Sequence, residues 1–112
     1  MVETTQSIAV ADLVGEAVRR LRASLQVERI YLFGSRARDE ADEDSDFDFL
    51  VVVRDSALSR YEREQQAFCA LCGMGISKDV LVLTREEFER SLAGVVSLPA
   101  TVAREGELLY GG

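Results

Sequence analysis

Residues 27–53 read VERIYLFGSRARDEADEDSDFDFLVVV. Two apolar runs, Val27 to Phe33 and Phe47 to Val53, flank a polar, strongly acidic segment. The first run is rich in β-branched and aromatic residues and stops at Gly34, which predicts a strand closed by a turn. The second is nearly continuous in apolar residues, the pattern of a strand covered on both faces. Residues 36–45 between them predict a short helix or loop whose acids form a solvated face. Gly34-Ser35 therefore stands at the end of the first strand, and Asp46 and Asp48 at the start of the second. If these groups serve one site, the second strand runs antiparallel to the first.

Outside this stretch the pattern is helical. Residues 8–26 carry Val10, Val14, Ala17, Val18, Leu21 and Leu25 at spacings of three and four, with acids early and arginines late, as a helix macrodipole prefers. Residues 57–75 predict a second long helix ended by Gly73 and Gly75, followed by a third strand, Val80 to Leu83. Thr84 and Glu87 then form a capping box for a helix running to about Leu92 and stopping at Gly94. Ser97-Leu98-Pro99 predicts another helix start, Gly106 its end, and Glu107 to Tyr110 a short edge strand. A strand–helix–strand crossover of this length makes the second and third strands parallel. The expected fold is α/β (α+β): a small mixed sheet with helices packed on it. Gly34, Asp46, Asp48 and Asp79 then converge on one sheet edge.

The chemistry of those residues suits a nucleoside triphosphate held with a divalent metal. A glycine turn lets backbone N–H groups approach phosphate, and Ser35 adds a hydroxyl able to cap the segment after it. Arg36 and Arg38 are placed to neutralise phosphate charge, Arg36 being nearer the turn; they could equally pair with the acids of 39–44. Two acids at i and i+2 on a strand point to one face, so Asp46 and Asp48 can share a metal. An oxygen-only pair of carboxylates suits Mg²⁺, which takes remaining ligands from water and phosphates. Asp79 is the candidate third acid, either a further ligand or the acceptor of a proton from an attacking hydroxyl. The chain has no histidine, so an aspartate must do any side-chain general-base work. The same residues also read blandly: D-x-D as an acidic turn, Gly-Ser as a strand-to-helix turn, Asp79 as an exposed strand start.

Composition narrows the classes. At 112 residues, 47% hydrophobic, one domain spanning 1–112 is expected, with a core of two or three layers. The net charge of −7 argues against gripping a nucleic-acid backbone and favours a basic protein or a cationic small molecule. Without a long apolar run or a basic, apolar leader, a cytoplasmic protein with no membrane association is expected. Cys69 and Cys72 have C-x-x-C spacing, but no histidine or second pair completes four zinc ligands, so reduced, structural thiols sharing a helix face are expected.

Gly34-Ser35, ten residues, then Asp46-Phe47-Asp48 and a later strand-borne Asp79 resemble the polymerase-β-type nucleotidyltransferase superfamily. Within it the chain is most similar, over nearly its full length, to minimal nucleotidyltransferase domains, the MNT antitoxins paired with HEPN toxins. The resemblance implies a single minimal nucleotidyltransferase domain with Asp46, Asp48 and Asp79 as metal and catalytic acids. It implies Gly34-Ser35 as the triphosphate-holding turn and ATP as donor, to which the residues themselves add Arg36 near the phosphates and two Mg²⁺ ions. It further implies transfer of AMP to a hydroxyl, often a tyrosine, of a HEPN-type toxin in a hetero-oligomeric complex. Two positions depart from the pattern: Asp39 where many relatives have glycine, and Lys78 where an apolar residue commonly precedes the third acid. Two other readings stand beside transfer to the partner. One is an antitoxin that neutralises by stoichiometric docking alone; the other is an aminoglycoside-type small-molecule nucleotidyltransferase, against which the lack of a second domain counts.

Overall fold

A computed structural model describes residues 2–34, 46–93 and 97–111. The elements follow in the order α1 (Val2–Ser24), β1 (Val27–Phe33), β2 (Phe47–Val53), α2 (Arg60–Ala70), β3 (Lys78–Thr84), α3 (Arg85–Leu92), α4 (Leu98–Glu105) and β4 (Glu107–Tyr110). The four strands form one sheet in the order β3-β2-β1-β4. β2 pairs antiparallel with β1 and parallel with β3, and β4 pairs antiparallel with β1 along its outer edge. This is the mixed sheet expected from the sequence, with the strand directions that the motif placement required.

Strand alternation divides the core into two layers. On one face Ile30, Leu32, Phe47, Phe49, Val51, Val53, Val80 and Val82 pack under Ala17 and Leu21 of α1 and Ala67 of α2. On the other, Tyr31, Leu50, Val52 and Leu83 pack under Phe88 of α3 and Val102 of α4. β2 is buried along nearly its whole length, which accounts for its unbroken apolar run. Tyr31 and Phe88 stack with ring centroids 5.9 Å apart, joining β1 to α3.

Element bounds depart from the sequence expectation where local bonding overrides periodicity. α1 starts at Val2 rather than residue 8, because nothing among the preceding polar residues breaks a helix. α2 is shorter than 57–75. Ser59 Oγ accepts from Glu62 N–H at 3.2 Å and Ser59 N–H donates to Glu62 Oε1 at 3.0 Å, a second capping box that fixes its start. Its far end tightens at Leu71, ahead of Gly73 at φ 88°. β3 runs longer than Val80–Leu83, because it pairs along all of β2, from Phe47↔Lys78 to Val53↔Thr84. The capping box of Thr84 and Glu87 is present, as is the Ser97 start of α4. The helix-or-loop expectation for 36–45 and the stop at Gly94 lie outside the described residues. Cys69 and Cys72 are both exposed and Cys72 lies past the end of α2, so they are not packed structural thiols.

Candidate active site

Three elements bring the predicted acids to one edge of the sheet. Asp48 is the second residue of β2, and in the parallel register it stands directly opposite Asp79, the second residue of β3. Asp46 immediately precedes β2. On the other side of β2, Phe33 pairs with Asp48, so Gly34 follows the last paired residue of β1. Asp48, Leu50 and Val52 alternate onto the α3/α4 face, while Phe47 and Phe49 stack on the α1/α2 face, with centroids 6.2 Å apart.

Gly34 has φ +78°, a conformation that side chains disfavour. A Cβ there would also collide with Asp48 Oδ2 and lie 3.4 Å from Asp48 Cγ. The turn and the carboxylate are thus packed on each other, and only a residue without a side chain fits between them.

Electrostatics agree with this convergence. Partial burial pushes the Asp48 carboxyl above the ordinary aspartate value, and the negative charges of Asp79 and Asp46 push it further. Among the described residues no cation pairs with any of the three. Lys78, the departure next to Asp79, points to the opposite face, its ammonium 4.4 Å from the centroid of Phe68 in α2. It is therefore turned away from the acids.

Among the described residues no three His, Cys, Asp or Glu side chains are gathered closely enough to hold a metal ion unaided. The donor chemistry nevertheless fits a hard divalent cation. Asp48 and Asp79 stand opposite each other across the β2–β3 register, and Mg²⁺ is commonly bound by one or two carboxylates completed by substrate phosphates. Ser35, Arg36 and Arg38 lie outside the described residues.

The structure adds a feature that was not read from the sequence. A cleft of about 120 Å³ opens beside Gly34, lined by Phe33 and by Leu98, Thr101, Val102 and Glu105 of α4. Those α4 residues recur at spacings of three and four, a signal visible in the sequence once the helix is placed. Gly106 lets α4 end against β1: a Cβ there would lie 2.7 Å from Val102 O and 3.1 Å from Leu32 O.

The arrangement matches known proteins in fold. A solved structure of a provisional nucleotidyltransferase from Sulfolobus solfataricus superposes with TM-score 0.64 at 25% identity, over 89% of this chain and 78% of that one. A toxin–antitoxin structure with AMP-PNP superposes with TM-score 0.55 at 23% identity, over 88% and 73%. A tri-AMPylated HEPN toxin from Shewanella oneidensis in complex with MNT antitoxin gives TM-score 0.50 at 23% identity, over 89% and 71%. No curated protein matches the chain. Among the described residues no helix is long and apolar enough to cross a membrane. The family model for the nucleotidyltransferase domain matches residues 14–108, which takes in both motif strands and the third acid: the chain belongs to the nucleotidyltransferase domain family.

Proposed function

We propose that the chain is a Mg²⁺-dependent nucleotidyltransferase that moves AMP from ATP to a hydroxyl, a tyrosine in particular, of a HEPN-type toxin and thereby acts as its antitoxin. The observation that carries this reading is the packing of the Gly34 turn against Asp48, with Asp79 opposite it across the β2–β3 register. A bend able to approach phosphate, beside acids that pair with no described cation, is what nucleotidyl transfer asks of a protein. The partner class is supported by the likeness to the toxin–antitoxin complexes.

In this reading Gly34, Ser35 and Arg36 hold the triphosphate tail, and Asp46, Asp48 and Asp79 hold one or two divalent ions. The ions, when bound, neutralise phosphate charge and steady the departing pyrophosphate. Asp79, exposed at the strand start, accepts the proton of the acceptor hydroxyl. The hydroxyl oxygen forms a bond to the α-phosphorus as the bond to pyrophosphate breaks. A glycine at 34 leaves the Asp48 carboxylate the space that a side chain would take.

The test is incubation of the chain with its partner toxin, ATP and Mg²⁺, followed by mass spectrometry of the toxin. The expected result is one or more AMP units on tyrosine. Full neutralisation of a toxin that remains unmodified would replace this reading with stoichiometric docking.

A further inference from the structure

Cys69 and Cys72 are the only thiols of the chain, and they bracket the point where α2 changes its winding. Leu71 N–H donates to Phe68 O at 3.1 Å, Cys72 N–H to Cys69 O at 3.1 Å, and Met74 N–H to Leu71 O at 3.4 Å. Winding of this i→i+3 kind eclipses side chains three apart, with a rise of roughly 2 Å per residue. The two Cα atoms are thereby spaced by about 6 Å, inside the span of about 4.4–6.8 Å that a disulfide bridges. Leu71 between them turns into the core, fully buried, while both thiols face solvent. No packing role accounts for the pair.

We propose that Cys69 and Cys72 are a reversible redox-modification site, closing as an intrachain disulfide across the outgoing turn of α2 when a hydroperoxide is the oxidant. One thiolate attacks the peroxide; the O–O bond breaks, a sulfenic acid forms and the first water leaves. The second thiol attacks that sulfur; the S–S bond forms, the S–O bond breaks and the second water leaves. Two thiols are oxidised and one hydrogen peroxide is reduced to two waters. So short a closed loop removes little chain entropy, which leaves the bond open to reduction by a dithiol. The turn it clasps is tied to α1, where Arg20 Nη1 donates to Cys72 O at 2.8 Å, and it leads into β3, which bears Asp79.

The experiment treats the full chain with hydrogen peroxide, alkylates remaining thiols with N-ethylmaleimide, and reads intact mass and peptide maps. The expected product has lost the mass of two hydrogens, carries no adduct, yields a Cys69–Cys72 cross-linked peptide, and forms at a rate independent of protein concentration. Dithiothreitol should restore two adducts. Persistence of both adducts, disulfide-linked dimers, or oxygen-added sulfinic products in place of the bridge would overturn the proposal. In Cys72→Ser, dimedone should trap a sulfenic acid at Cys69; loss of two hydrogens by that variant would also refute it. These readouts need no transferase activity, so they stand apart from the proposed function.

Discussion

Gly34→Ala tests whether the Gly34 turn and the acids beside it are one mechanical unit. An alanine at φ +78° carries a left-handed penalty of about 1–2 kcal/mol. Its methyl group must also displace the Asp48 carboxylate it would strike. On stability alone the change should lower the unfolding midpoint by roughly 4 °C per kcal/mol in a domain of this size. On activity the effect should be far larger, because moving a catalytic group by about 1 Å can cost on the order of 10²-fold. The assay is labelled AMP transfer at saturating ATP and Mg²⁺, with urea unfolding of the same preparation. A variant that is destabilised as expected but transfers AMP at the unaltered rate would refute the coupling of Gly34 to Asp48. It would leave the glycine as a turn residue only.

Asp48→Asn should lower transfer by about 10²-fold or more, the scale of several kcal/mol of charge stabilisation, and yet stabilise the metal-free fold. Burial, then Asp79 and Asp46, raise the Asp48 carboxyl; the folded state holds that proton more tightly than the unfolded chain, so stability falls as pH rises above the ordinary aspartate range. Asparagine removes that loss, and thermal melts at neutral pH with chelator should show a higher midpoint than wild type. Glu87→Ala should cost about 1–3 kcal/mol by urea unfolding: Arg63 is only 4% exposed and loses its 2.8 Å partner, although solvent beside Glu87 screens the pair. Burial works to raise the Glu87 carboxyl, but the Thr84 amide and the Arg63 guanidinium outweigh it and hold it below the usual range. Its contribution is therefore present above the ordinary glutamate value and lost as pH falls through the depressed one, a slope that melts of Glu87→Ala should lack. Phe49→Ala, at a fully buried position of β2, should cost about 3–5 kcal/mol by the same measurement.

How much of this was legible in the sequence depends on whether local residues or distant contacts decided each feature. The strands β1 and β2 were readable to the residue, because Gly34 closes the first apolar run and Asp46 and Arg54 bound the second. Their antiparallel pairing followed from asking Gly34 and Asp48 to meet, and β2 with β3 from the length of the crossover. The start of α2 was misjudged because Ser59 and Glu62 were not read as a capping box, although the same pattern was recognised at Thr84 and Glu87. Arg63 carries no local signal for burial; only tertiary packing buries it against Glu87. Lys78 stood out as a departure beside Asp79, but adjacency in sequence does not say that the pleat sends neighbours to opposite faces.

That alternation has a kinetic corollary. With Lys78 turned beneath the sheet, the described rim presents Asp46, Asp48 and Asp79 as an unscreened negative basin, hostile to a bare tetra-anionic nucleotide. A nucleotide that arrives already chelated to its cation meets a lower barrier. Productive encounter rates should accordingly track the concentration of the chelate, and rise with magnesium even when total ATP is held constant.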